Sequence, residues 1–120
     1  MSISYKELTQ QTSAQLAQLR AEIPESLRGF SSLAQAATKP GALDAKTKEL
    51  IAIALSVGVR CDPCLGFHSQ ALVKLGVTRA EVAEALGLAV YMGGGPSLMY
   101  SARALAAYDE FAALQAPVSA

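Results

Sequence analysis

The chain contains 120 residues, of which 52% are hydrophobic and 17% charged, and its ten basic and ten acidic side chains cancel. The charges are scattered, which argues against a nucleic-acid-binding protein. The longest apolar run, Leu50–Val59, covers about ten residues, whereas a membrane span needs about twenty, so no membrane segment is predicted. This length suits a single domain. A small domain has a large surface for its volume, and with so many apolar residues we expect part of that surface to be buried against another subunit, so a homo-oligomer is predicted.

Helix caps, prolines and glycines divide the chain into helices, and no segment alternates apolar and polar residues as a strand does. Capping side chains precede the first, third and fifth helices at Ser4, Asp44 and Thr78. The predicted helices cover residues 5–21, 24–37, 45–57, 62–76, 78–92 and 97–114, and the tail from Gln115 to Ala120 is predicted to fray. We therefore predict an all-α fold of about six helices.

The third predicted helix is the most apolar of the six. Residues 50–55 are hydrophobic around nearly its whole circumference, so we expect it to be the central buried element. The first helix has sparse apolar positions and is expected to be peripheral. Within one domain, residues 1–40 are predicted to form N-terminal helices that pack on a core of residues 41–114.

The two cysteines are spaced C-x-x-C, and the only histidine follows them. On one helix, Cys61, Cys64 and His68 would share a face. The pair lies at a predicted helix N-terminus, where the helix dipole and free N–H groups favour a thiolate, and Arg60 adds a positive charge. The N-terminus lacks signal-peptide features, so we expect a cytoplasmic protein, where such a pair indicates redox chemistry or metal binding.

Two other interpretations of the cysteine pair, a structural disulfide and a zinc site, are less favoured than redox chemistry. A disulfide that closes only four residues would stabilise the fold by about 2 kcal/mol, less than a longer loop would give. A zinc site needs three or four ligands, and the local sequence offers two cysteines and one histidine. A thiol–disulfide site with neither a metal nor another cofactor is therefore predicted.

Glu49 is the next candidate, because it lies twelve residues before Cys61 and directly before the apolar run. If its helix face is buried, a desolvated carboxyl group would suit a proton shuttle. Otherwise it is an exposed first-turn glutamate that interacts favourably with the helix dipole. The residues alone leave both interpretations open.

The span from about Phe30 to Phe111 resembles the carboxymuconolactone decarboxylase / alkyl hydroperoxidase D superfamily. The similar segments are Leu-Asp-x-x-Thr-Lys-Glu-Leu-Ile-Ala-Ile-Ala, the C-x-x-C-x-x-x-H motif, the capped helix Thr-Arg-Ala-Glu-Val-x-Glu-Ala and a Gly-Gly-Pro break. The resemblance implies a helical subunit that forms trimers or hexamers. The peroxidase branch uses a glutamate, two cysteines and a histidine, which correspond to Glu49, Cys61, Cys64 and His68.

The resemblance implies that a Glu49–His68 relay deprotonates Cys64, which attacks a hydroperoxide and then forms a disulfide with Cys61, although Cys61 could attack instead. A lipoyl-type dithiol or a thioredoxin-like protein is the implied reductant. Two other functions stay open. One is a lyase related to the decarboxylase branch, which typically lacks the C-x-x-C. The other is a non-catalytic redox sensor whose cysteine pair switches an interaction surface.

Overall fold

Every regular element of the computed structural model, which describes residues 4–115, is an α-helix. The helices are α1 (Tyr5–Glu22), α2 (Pro24–Thr38), α3 (Ala45–Gly58), α4 (Asp62–Lys74), α5 (Arg79–Gly93) and α6 (Gly95–Gln115). The prediction of an all-α fold with about six helices is confirmed. The predicted frayed tail begins at Gln115, which still lies in α6, and the rest of that tail, residues 116–120, falls outside the described residues. In the described part of the chain, no helix is long and apolar enough to cross a membrane.

The predicted caps hold the starts of α1, α3 and α5. Ser4 Oγ and Asp44 Oδ1 each accept the backbone N–H three residues along the chain, at 3.3 and 2.7 Å. Thr78 and Glu81 exchange side-chain-to-backbone hydrogen bonds of 3.1 and 2.8 Å, which completes a capping box. Each of these bonds satisfies a backbone group that the helix itself leaves unpaired.

Two helix boundaries differ from the prediction by two residues, because α4 ends at Lys74 rather than at Gly76 and α6 begins at Gly95 rather than at Ser97. Gly94 alone makes the break, with a φ of 72° that glycine adopts at little cost. The chain therefore changes direction at one residue, and the new helix begins at once with Pro96 in its first turn, where proline is favourable.

The core lies among the last four helices. α6 packs along α4 and α5, and α3 lies against the same two helices. α1 packs on α4 and α6, whereas α2 contacts α1 and α3 and has no buried residue. The fully buried hydrophobic side chains at the centre are Ile53, Val57, Leu65, Leu72, Val82, Ala104 and Ala107.

α3 is buried on only one side, so the expectation that it is the central buried element is confirmed for that side and is wrong for the other. Ile53 and Val57 are fully buried, but Ile51 is 44% exposed and Leu55 is 62% exposed. The main packing partners of α3 are α4 and α5, and among residues 4–115 no helix covers Ile51 and Leu55. An apolar stripe of α3 is left on the surface.

α1 approaches the core at a glycine of α4. A Cβ atom on Gly66 would lie 2.6 Å from Thr9 Cγ2, so only glycine allows this distance without a shift of the threonine. Tyr5 and Thr9 are buried here, while most of the remaining α1 residues are exposed. The contact fixes the first turns of α1 beside the helix that contains Cys64 and His68.

Candidate functional site

Cys61 and Cys64 form a disulfide at the start of α4, with their Cα atoms 5.2 Å apart. Cys61 is the N-cap residue, and its Sγ accepts the backbone N–H of Cys64 at 3.2 Å. Cys61 precedes α4, as the predicted start of this helix at residue 62 implies, and the disulfide holds its sulfur beside that of Cys64. The helix begins after Cys61 because Asp62 and Pro63 form the first turn, where the fixed φ of proline and an acidic side chain are favourable.

The turn between α3 and α4 places Cys61 at the N-cap position of α4. The Cys61 N–H donates to the carbonyl oxygen of Ser56 and the Arg60 N–H to that of Val57, both at 3.1 Å. This is the double hydrogen bond of a helix C-cap whose turning residue is left-handed. Arg60 takes that conformation, with a φ of 57°, where glycine is the usual residue.

Glu49 of α3 and His68 of α4 are in contact. Glu49 Oε2 lies 2.7 Å from His68 Nδ1, and the side chains are 13% and 32% exposed. An ionised Glu49 carboxylate can only accept a hydrogen bond, so in that state His68 Nδ1 is the donor. This leaves Nε2 of a neutral imidazole as the nitrogen that can take up a proton. The sequence left open whether the Glu49 carboxyl group is buried or exposed, and the structure shows it half-buried.

The histidine and the second cysteine share a face of α4. His68 follows Cys64 by four residues, about one helical turn, so the two side chains project from the same side. The structure therefore joins Cys61 to Cys64, pairs Glu49 with His68, and places His68 one turn from the disulfide. Such an arrangement can transfer a proton beside a reactive thiol.

A further charged pair lies at the same end of α4, and the sequence analysis missed it. Arg103 Nη1 of α6 donates to Asp62 Oδ1 at 3.0 Å, and its guanidinium carbon lies 5.2 Å from the centroid of the Tyr100 ring. Asp62 stands between the two cysteines, whereas Arg103 is 41 residues away. No local pattern connects residues so far apart.

The surface next to this site includes an apolar groove. It has a volume of about 550 Å³ and is formed by the end of α3, the end of α5 and the start of α6. Its lining includes the exposed side chains of Leu55, Val59, Leu88 and Met92, together with Arg60. Among residues 4–115, no three side chains of His, Cys, Asp or Glu are grouped closely enough to hold a metal ion.

The comparisons with known proteins agree with this architecture. A crystal structure of an apo carboxymuconolactone decarboxylase family protein from Legionella pneumophila aligns with a TM-score of 0.89 and 62% identity, covering 92% of this chain and 99% of that one. A Thermotoga maritima member, for which an antioxidative role is suggested, aligns with a TM-score of 0.70 and 33% identity, covering 75% and 93%. An uncharacterized protein of Cupriavidus necator is 43% identical over 86 residues, which are 72% of this chain and 76% of the relative.

The family match covers residues 24–107, from the start of α2 into α6. This span includes Glu49, both cysteines, His68 and the Asp62–Arg103 pair. Since the match extends over more than half of the sequence and the helical fold is shared, the chain belongs to the carboxymuconolactone decarboxylase family.

Proposed function

We propose that the protein is a thiol-dependent peroxidase and disulfide oxidoreductase that reduces hydroperoxides through Cys61 and Cys64. The main support is the 2.7 Å contact between Glu49 and His68, one helical turn from Cys64. A disulfide that only stabilised the fold would not need a half-buried acid–histidine pair beside it. The antioxidative role suggested for the Thermotoga maritima relative is in line with this proposal.

In the proposed first step, the reduced Cys61–Cys64 pair reacts with the hydroperoxide. His68, oriented by Glu49, takes the proton from Cys64, and the thiolate attacks the terminal oxygen of the peroxide. An S–O bond forms, the O–O bond breaks, and Cys64 is oxidised to a sulfenic acid. The leaving alkoxide takes the proton back from His68 and departs as an alcohol.

In the proposed second step, Cys61 resolves the sulfenic acid of Cys64. Its thiol attacks the sulfenic sulfur of Cys64, water leaves, and the disulfide forms. A dithiol donor, either of lipoyl type or a thioredoxin-like protein, then reduces the disulfide by exchange and becomes oxidised itself. The Cys64 N–H that points at Cys61 Sγ supports this exchange, because it stabilises the thiolate that Cys61 becomes.

Single cysteine variants test the order of the two residues. Cys64→Ser is expected to abolish turnover of tert-butyl hydroperoxide with dihydrolipoate as donor. Cys61→Ser is expected to react once and then stop, because Cys64 sulfenic acid accumulates without a resolving thiol. Mass spectrometry after trapping with dimedone measures that adduct. Full turnover by Cys64→Ser would contradict the assignment of Cys64 as the attacking residue.

The second candidate function is a lyase, which the name of the matching family favours. Alkylation of both reduced thiols separates the two functions, since it abolishes a peroxidase and leaves a lyase of this kind active. A measurement of sustained peroxide turnover distinguishes the peroxidase from the redox-sensor alternative. A sensor forms the disulfide with peroxide but does not continue to reduce peroxide when a dithiol donor is supplied.

We also propose that the chain assembles into a homotrimer or homohexamer. α2 has no buried residue and presents Phe30 and Leu33 to solvent, and the groove at the end of α3 exposes Leu88 and Met92. Apolar surfaces of this kind mark sites of association. Light scattering is expected to give three or six times the chain mass of 12.5 kDa. Leu88→Glu is expected to lower that mass, and a monomeric wild-type protein would contradict the proposal.

A further inference from the structure

The residues from Arg60 to Cys64, here called the redox loop, contain one acidic side chain. Asp62 stands between the two cysteines and begins α4. An acidic residue in the first turn favours the helix, because it complements the positive end of the helix dipole. The same negative charge opposes a second negative charge on a neighbouring sulfur. Asp62 therefore helps to start the helix but disfavours the reactive thiolate.

Arg103 offsets this effect from a different helix. Its guanidinium donates to the Asp62 carboxylate at 3.0 Å and lies 5.2 Å from the Tyr100 ring centroid, so it is held by two partners. The Arg103 and Asp62 side chains are 49% and 33% exposed. Pairs this exposed contribute little to stability, so the main consequence of the contact is local electrostatics.

We propose that Arg103 is a positioning residue of the redox site, which holds and neutralises Asp62 so that a sulfur of the reduced pair can become negatively charged. This inference rests on the proposed thiol chemistry and adds to it a residue outside the motif. It assigns to α6 a part in the reactivity of cysteines on α4, in addition to the packing of these helices.

Other charged and titratable groups surround the loop and stay constant in the test. They come from α1, α3, α4, α6 and the loop itself: Tyr5, Glu49, His68, Tyr100, Glu110 and Arg60. Since none of them is changed, a comparison among variants at positions 62 and 103 isolates the charge of the Asp62–Arg103 pair.

The test measures the rate of iodoacetamide alkylation of the reduced protein as a function of pH at low salt. Arg103→Gln leaves Asp62 unpaired and is expected to raise the midpoint of the curve by about half to one pH unit, which lowers the neutral-pH rate about three- to tenfold. Asp62→Asn leaves the arginine unpaired and is expected to lower the midpoint. The double variant is expected to return close to the wild type, and Arg103→Lys, which keeps the charge, to stay close to it.

Opposite shifts in the two single variants distinguish an electrostatic role from a structural one, because damage to the loop would change both in the same direction. Shifts in the same direction, or an unchanged midpoint in Arg103→Gln, would overturn the proposal. Thermal unfolding checks that each variant is folded. The alkylation assay needs neither peroxide nor dithiol donor, so a failure of the proposed peroxidase activity would appear separately, in the turnover assay alone.

Discussion

Replacing Glu49 with glutamine is expected to slow hydroperoxide turnover by about 10²- to 10⁴-fold, the usual contribution of a positioned acid–base group. The amide has nearly the shape of the carboxyl group, so it can fill the same half-buried space against His68. It has no negative charge to stabilise a protonated imidazole, and it no longer fixes Nδ1 as the donor nitrogen. His68 therefore loses both its orientation and its ability to hold the proton taken from Cys64.

Steady-state turnover with tert-butyl hydroperoxide and dihydrolipoate measures this effect. Glu84→Gln is the matched control, because Glu84 is an exposed glutamate on α5, a helix that does not pack against α4. The control is expected to turn over at the wild-type rate. Thermal unfolding of Glu49→Gln is expected to stay close to that of the wild type. If Glu49→Gln turned over as fast as its control, the proton relay would be excluded.

Replacing Glu110 with alanine is expected to lower the free energy of unfolding by about 2–3 kcal/mol, because a charged acceptor with several donors is lost. Glu110 of α6 accepts the Ser4 hydroxyl at 2.9 Å, the Tyr5 N–H at 2.8 Å and the Lys6 N–H at 2.9 Å. These donors belong to the start of α1, where Tyr5 and Thr9 are the buried residues. The carboxylate thus anchors α1 to the core.

This contribution depends on pH. Burial tends to raise the pKa of Glu110, but hydrogen bonds from the Lys6 and Tyr5 N–H groups and the Ser4 hydroxyl outweigh burial and hold the pKa below its ordinary value of 4.5. Since the pKa is lower in the folded state, the stabilisation is fully present above the unfolded-state pKa and is lost as the pH falls through the folded-state pKa.

Urea unfolding at neutral and at acidic pH measures both effects. The wild type is expected to lose stability on acidification, and Glu110→Ala is expected to lose less, because it lacks the anchoring carboxylate. Asp109→Asn is the matched control, since Asp109 is the neighbouring acid of α6 and pairs with Arg79 on the surface at 2.9 Å. Asp109→Asn is expected to lower the free energy of unfolding by less than about 1 kcal/mol. Equal losses in the two variants would contradict the anchoring role.

The sequence by itself determined the features that depend on residues within one or two helical turns. The caps at Ser4, Asp44 and Thr78, the proline at the start of α2 and the C-x-x-C at the start of α4 are all local signals. They predicted six helices with boundaries close to the observed ones. The combined motif also predicted the family, because its glutamate, cysteines and histidine have fixed spacings along the chain.

Only the tertiary structure decided which side chains meet. Glu49 is paired and half-buried because α4 packs against α3 and brings His68 to it from 19 residues away. Glu110 holds the start of α1 from 105 residues away, and Arg103 reaches Asp62 from 41. Likewise, the hydrophobic pattern of α3 could not show which apolar residues its neighbours cover. A helical pattern gives the face on which a side chain lies, whereas its partner depends on how the helices pack.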